Sequence, residues 1–481
     1  MPLMSLTSIL KMHADAEPER PMITCGDKTL TRRALDLRTN RLARAYAERG
    51  VRPDHLVTIA LPNGIEFYEC AVAVWKLGAT PQPVSAKLPK AELKAIVELA
   101  KPSLIVGGER LTTGTPHLEA GFDAPAHLSD AALPECVSRH WRAPTSGGST
   151  GRPKLIVSKQ PAEFDPEAPF MEMQRGQAHL VPGPLYHNAP FSLSSIGLSR
   201  GHHLVVMQRF DALEALELIE KYQVNWLVLV PTMMSRIWRL GPEVRARFDL
   251  SSISALWHMA APCPMWLKQE WIDWLGPDKI WELYGGTESQ GVTTINGAEW
   301  LAHKGSVGRP KETCRMKALD QNGREVPTGE VGEIFIKPTA GAGTTYYYIG
   351  AEANATPEGF ESLGDMGWFD EEGYLYLVDR RTDMILSGGA NIYPAEVEGA
   401  IDAHPYVRSS AVIGLPDDDL GARVHAIVEI SMPLTAEDLL SFVGDRLARY
   451  KLPRSVEFVD HPLRDDAGKV RRSALRSARW G

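Results

Sequence analysis

Between Thr31 and Val106 the chain alternates helical and extended patterns, and that alternation restricts it to a sheet covered by helices. Leu35, Thr39, Leu42 and Tyr46 share one helical face, Thr31 stands where a helix cap is needed, and Gly50 where a helix ends. Leu56 to Leu61 reads as a strand and Gly64 to Leu77 as a helix closed by Gly78. Lys90 to Ala100 reads as a further helix leading into a short apolar strand, Ser103 to Val106. With 481 residues the chain exceeds what one core organises, and its length predicts about two to four domains or subdomains. The expected fold class is α/β. Residues 107–140 show weak periodicity and many loop formers, and read as a linker.

That linker leads to Thr145-Ser146-Gly147-Gly148-Ser149-Thr150-Gly151-Arg152-Pro153-Lys154. Three glycines, four hydroxyls and two cations fall within these ten residues, and an apolar run, Leu155 to Val157, follows. Glycines let backbone N–H groups approach an anion, hydroxyls add donors, and the cations suit a polyphosphate. The spacing matches neither G-x-x-x-x-G-K-[ST] nor G-x-G-x-x-G. Composition alone fits a Gly/Ser surface turn equally well.

Further on, Pro182-Gly-Pro-Leu-Tyr-His187-Asn188 forms a turn, and a single histidine there is more often structural than catalytic. Val224 to Val230 has the length of a buried strand. Pro231 stops it, and Thr232 opens a helix carrying Met233, Met234, Ile237 and Trp238, either core or the wall of an apolar pocket. Ser254 to Pro264 reads as a strand ending in a tight small-residue turn. Trp281-Glu-Leu-Tyr284-Gly285-Gly286-Thr287-Glu288 repeats the pattern, adding a hydroxyl and a carboxylate. Loops at the carboxyl ends of strands are where open α/β sheets place ligands. Gly329 to Pro338 alternates as a two-faced antiparallel strand, and residues 363–381 as a hairpin entered from the loop bearing Asp365. Beyond Thr382, Ser387 to Ala390 reads as a flexible loop. The rest predicts an α-β-β-α-β unit of about 100 residues, large enough to fold as a small domain.

The net charge of -8 and pI near 6.0 argue against general nucleic-acid binding. Five scattered cysteines, with no C-x-x-C pair, argue against a disulfide scaffold or a cysteine-based zinc site and suit a reducing compartment. There is no signal-peptide pattern and no run of 18 apolar residues, so a cytoplasmic chain without a membrane span is expected.

Five ordered segments resemble the adenylate-forming superfamily of acyl-CoA synthetases, carrier-protein adenylation domains and luciferases. They are Thr145–Lys154, Pro184–His187, Tyr284–Glu288, Leu363–Glu398 and Gly468-Lys469. The resemblance runs from about residue 20 to the C-terminus. It implies a large adenylation domain with a β-rich segment, residues 1–381, and a small mobile α+β domain, residues 382–481, rotating about Thr382. It implies that a carboxylate attacks the α-phosphate of ATP to give acyl-AMP and pyrophosphate, and that a nucleophile then takes the acyl group. The acid is expected to be aryl, heteroaryl or cyclic.

The same resemblance assigns roles. Thr145, Ser146, Gly147, Gly148, Ser149, Thr150, Gly151 and Lys154 would hold the β,γ-phosphates. Thr287 would donate to the α-phosphate and Glu288 would hold Mg²⁺. Ala260, Ala261, Pro262, Tyr284 and Gly285 would pack the adenine. Asp365 would accept from the ribose, and Arg380 would contact ribose or phosphate. Lys469 would bridge the acid and the α-phosphate, and with Thr287, Glu288 and His187 would make up the catalytic residues. His187, Asn188, Trp257, Met259 and Gly286 would border the acid, with core packing the alternative for Trp257 and Met259. The chain departs from the family pattern at Leu155, Met259, Thr382 and Ala390, where Gly, Gly, Asp or Lys, and Glu are usual. The expected acceptor is CoA; alternatives are a free amine, as in an amide bond synthetase, and a separate carrier protein. A homodimer is compatible with this reading.

Overall fold

The computed structural model describes residues 2–147, 153–465 and 468–479. Among them the largest sheet has nine strands. Its centre is parallel, in the order Ile280–Gly285, Ala255–His258, Trp226–Leu229, Ala178–Val181, His203–Val206, Pro21–Cys25. Strands flanked by helices on both faces need apolar side chains on both, and Leu180, Leu227, Leu229, Ala255 and Leu256 are fully buried. A second, all-parallel sheet carries Thr80–Pro83, Leu56–Ala60, Leu104–Gly107 and His117–Leu118.

The helices between these sheets follow the sequence signals closely. Arg32–Glu48 begins where the Thr31 hydroxyl accepts the Ala34 N–H at 3.2 Å. It packs on Ile65–Lys76, whose Trp75 indole donates to the Trp141 carbonyl at 2.8 Å and stacks on Phe191. Residues 107–140 are mostly irregular, as expected.

Two smaller antiparallel sheets follow. One joins Thr145–Gly147, Pro153–Ser158 and Tyr346–Ile349. The other is built on Cys314–Leu319, Gly332–Pro338 and Glu361–Phe369, with Leu375–Arg380 paired to the last of these. Gly332–Pro338 is not two-faced toward solvent. It is central in its sheet and covered on both faces, so even Glu333 is buried, held by Arg381 and Ser362.

The small domain packs Pro394–Asp402 and Ala436–Gly444 against Val407–Asp417, Gly421–Ile430 and Ser455–Val459. The segment expected to be a flexible loop is a tight hairpin. Ile385–Ser387 pairs with Ala390–Ile392, and Gly388 and Gly389 both take positive φ (55° and 80°), as two-residue hairpin turns require. Thr435 caps the helix Ala436–Gly444, its hydroxyl accepting the Asp438 N–H at 3.1 Å. No helix among the described residues is long and apolar enough to cross a membrane.

Burial inside the small domain pushes the Asp402 carboxyl up to about 6, against the pull of Arg464 and a hydrogen bond from Ser410. Asp379 is raised to about 6 in the same way, with Arg472 opposing. A raised carboxyl stabilises the fold when protonated. That contribution is complete below the unfolded value of about 3.9 and is lost as pH rises through the folded value. Asp402→Asn is expected to flatten the fall in melting temperature between pH 4 and 6 to roughly half, without lowering stability at pH 8. Thermal denaturation across that pH range checks it.

Candidate active site

The parallel sheet delivers several loops to one edge. Ala255–His258 runs into Met259 and Ala260, the latter at φ +74°, so the small-residue turn Ala260-Ala261-Pro262 folds sharply back. Ala260 and Pro262 are exposed. The neighbouring strand Ile280–Gly285 runs on into a turn closed by the Ser289 N–H donating to the Gly286 carbonyl at 3.1 Å. At Gly286 a β-carbon would stand 2.6 Å from Leu363 and 2.8 Å from a Glu288 carboxylate oxygen, so any larger residue would displace both. Thr287 is half-buried here and Glu288 is buried.

Glu288 is held from the small three-stranded sheet. The Tyr348 hydroxyl donates to Oε1 at 2.6 Å, and Lys154 Nζ lies 3.7 Å from the same oxygen. Lys154 also sits over the Tyr348 ring, 3.9 Å from its centre. Register explains this: Ser146 stands opposite Lys154 and Ile156 opposite Tyr348, so one sheet carries both the lysine and its tyrosine. The Thr145 hydroxyl accepts from Gln82 at 2.9 Å. Gly147 ends its strand opposite Pro153. Gly148, Ser149, Thr150 and Gly151 lie outside the described residues.

Asp365 and Arg380 are direct cross-strand partners, and Arg380 Nε donates to Asp365 Oδ1 at 3.2 Å. The other oxygen accepts from the Tyr284 hydroxyl at 2.9 Å. Burial raises the Asp365 carboxyl above its usual range, with Arg380 pulling the other way. Thr382, two residues on, is exposed.

Lys469 arrives from the small domain. Its backbone N–H donates to Asp465 Oδ1 at 2.9 Å, which shapes the loop. Its ammonium is near enough to the large domain to feel Arg380 and Glu288. Surrounding protein lowers its pKa first and Arg380 lowers it further, while Asp465 and Glu288 hold it up.

On the apolar side, Trp257 is 2% exposed, stacks on Trp281 at 5.0 Å and donates its indole N–H to the Met171 carbonyl at 3.2 Å. Met259 joins it, with Leu193, Ala189 and Ile196 of the helix Asn188–Ser199. His187 is the residue before that helix, its ring tilted against Tyr186 at 4.4 Å, and Asn188 accepts from Ser192 at 2.9 Å. Met233, Met234 and Ile237 point elsewhere, into the core beneath Trp271 and Ile272, so this stripe packs the interior.

Two residues escaped the sequence reading. Tyr348 lies in an unremarked tyrosine run, where aromatic strand residues at alternate positions were the available signal. Arg142 lies at the end of a segment with no periodicity. Buried, its Nη1 donates to the Thr287 carbonyl at 3.3 Å and its Nη2 to the Ser289 hydroxyl at 2.9 Å. Burial lowers it to about 10 even with Glu288 close by.

Residues 10–142 and 143–347 match the family described as AMP-binding enzyme, and residues 396–469 its C-terminal domain. The chain belongs to this family, within the adenylate-forming superfamily, and is an AMP-forming ligase. It is 30% identical to a 2-succinylbenzoate–CoA ligase of Bacillus licheniformis, over 98% of this chain and 100% of that one. Its fold is similar to the o-succinylbenzoate CoA synthetase MenE of Bacillus subtilis, solved with its acyl-adenylate OSB-AMP: TM-score 0.82, 26% identity, 100% of each chain covered. It is also similar in fold to the amide bond synthetase McbA of Marinactinospora thermotolerans, with TM-score 0.80, 22% identity, and 99% and 100% covered.

Arg142→Met removes two hydrogen bonds from a charged donor, worth about 1.5–3 kcal/mol each at most. Amide exchange across residues 286–290 is expected to quicken by at least tenfold while exchange in the distant Pro394–Asp402 helix is unchanged. Hydrogen-exchange mass spectrometry of both segments checks it.

Proposed function

We propose that the chain couples ATP to the activation of an aryl carboxylic acid as acyl-AMP and then passes the acyl group to CoA. The observation that carries this reading is the convergence of Lys469 from the small domain with Lys154, Glu288, Asp365 and Arg380 of the large one. An acid and ATP are both anionic, and charge grows on the α-phosphate as the new bond forms. Cations and fixed donors aimed at that point stabilise it.

In this reading Lys154, with residues 145–151, holds the β,γ-phosphates. Thr287 donates to the α-phosphate, Asp365 accepts from the ribose hydroxyls and Arg380 lies between ribose and phosphate. Ala260 to Pro262, with Tyr284 and Gly285, borders the adenine. The acid lies along Met259, Gly286 and the helix that His187 and Asn188 begin, with Trp257 behind. Its carboxylate oxygen attacks the α-phosphorus, the bond to the β-phosphate oxygen breaks, and pyrophosphate leaves. Lys469 neutralises both reacting partners. In the second step the thiol sulfur attacks the acyl carbon, its proton passes to solvent, and AMP leaves.

A single buried carboxylate beside phosphate-holding cations fits Mg²⁺, which takes one or two carboxylates together with phosphate oxygens. Glu288, oriented by Tyr348, would hold it, and the bound ion would supply charge neutralisation on the phosphates. Between steps the small domain, residues 382–481, turns about Thr382 and withdraws Lys469. The aryl preference rests on the Trp257–Trp281 stack behind the site and on the 2-succinylbenzoate relative.

The test is a product assay with ATP, Mg²⁺ and a panel of aryl, heteroaryl and alicyclic acids, run with CoA and separately with a primary amine. Thioester at low CoA is the expected product. An amide formed with AMP release and no thioester overturns the CoA assignment. Lys469→Ala is expected to slow acid-dependent ATP–pyrophosphate exchange by about 10²–10³, the size of one lost electrostatic stabiliser. Because Lys469 acts as a cation with a lowered pKa, the alkaline limb of kcat/KM for ATP should fall below the ordinary lysine value of about 10.4. Lys469→Arg should move that limb upward.

A further inference from the structure

The helix Pro231–Trp238 touches the small domain at both ends. At its start, Thr232 meets the loop that carries Lys469. A β-carbon on Gly468 would stand 2.5 Å from the Thr232 hydroxyl oxygen and 3.2 Å from its methyl, so the two surfaces are flush. Gly468 also holds φ +77°, a conformation side-chain-bearing residues rarely adopt. At the far end, Arg239 Nη2 donates to the Asp402 carbonyl at 3.1 Å. Asp402 ends the helix Pro394–Asp402, whose last carbonyls have no partner within the helix. The charged groups facing Arg239 are Asp402, Glu429 and Arg408, all from the small domain, and burial lowers its pKa.

These two contacts are tied together inside the small domain. Arg464 donates to the Gly468 carbonyl at 3.2 Å, to Glu398 at 3.1 Å and to the Ser410 carbonyl at 2.9 Å. Ser410 in turn donates to the Asp402 carboxylate at 2.7 Å. Arg239 therefore reaches the Lys469 loop through a continuous set of hydrogen bonds.

We infer that Pro231–Trp238, with Arg239 at its end, is the seat that holds the small domain in the acid-activating arrangement, and that Arg239 is a positioning residue acting through Lys469. This rests on the proposed two-step reading. A group that binds one arrangement and not the other shifts the balance between them by its differential interaction alone. Arg239 therefore favours the first step and leaves the second unaided.

Arg239→Met keeps the apolar stem and removes the guanidinium. Acid-dependent ATP–pyrophosphate exchange is expected to fall about tenfold, while acyl transfer from a synthetic acyl-adenylate to the acceptor stays level or rises. In a Lys469→Ala background the same substitution is expected to cost nothing further. Thr232→Leu, which intrudes on Gly468, should repeat the pattern from the other end of the helix. Equal losses in both half-reactions, or an undiminished loss in the Lys469→Ala background, would overturn the inference. Hydrogen exchange separates it from the underlying reading. Arg239→Met should quicken amide exchange in the segments around Gly468 and Asp402, whatever Lys469 does chemically, and unchanged exchange there sinks the seat. If Lys469→Ala leaves pyrophosphate exchange intact, the role of Lys469 fails instead.

Discussion

Like charges brought together are the constraint on which this site depends. Lys154, Arg142, Arg380 and Lys469 are gathered within one loop cluster, and Lys469 and Arg142 are both easier to deprotonate than they would be in water. The fold holds them there with two carboxylates, one in the turn after a strand of the large sheet and one on a paired strand. Glu288 sits beside Lys154 and feels Arg142, and Asp365 pairs across a hairpin with Arg380. Neither carboxylate is left to choose its position, because a tyrosine hydroxyl holds each, Tyr348 for Glu288 and Tyr284 for Asp365. Electrostatic stabilisation is effective when the dipoles and charges are set before the reaction, and this arrangement sets them.

The apolar scaffold explains how such a cluster survives. Strands central in the large sheet are buried on both faces, and helices capped by their own sequence cover them. Each loop of the site leaves a strand whose position is fixed by many neighbours.

Much of this was legible in the sequence because it depends on local chemistry. Thr31 caps a helix as its place in the sequence suggests, and the helix expected to open at Thr232 begins one residue earlier, at Pro231. The strand-then-glycine pattern placed Thr287 and Glu288 at a strand end, where they lie. What was not legible depends on which strand neighbours which. The strand through Glu333 reads as two-faced until its sheet is seen to be covered on both sides, and Gly388-Gly389 reads as slack until its flanks pair. Arg142 has no pattern around it, and only the meeting of its segment with the Thr287 turn gives it a role. The stripe from Met233 to Ile237 was open between pocket and core, and the tertiary packing assigns it to core.

The last helix carries a consequence for how the protein is made. Arg472 donates to Asp383 at 2.9 Å and to both oxygens of Glu398, joining residues 89 and 74 positions apart. Glu398 is buried and, besides these arginines, accepts the Val412 backbone N–H at 2.8 Å. Until Arg472 leaves the ribosome, that carboxylate lacks a principal counter-charge, and the segment just past Thr382 lacks its clasp. The large domain is by then fully synthesised. The nascent protein thus completes its large domain before its small domain possesses the arginine that closes it, and a chain arrested short of Arg472 would hold the first without the second.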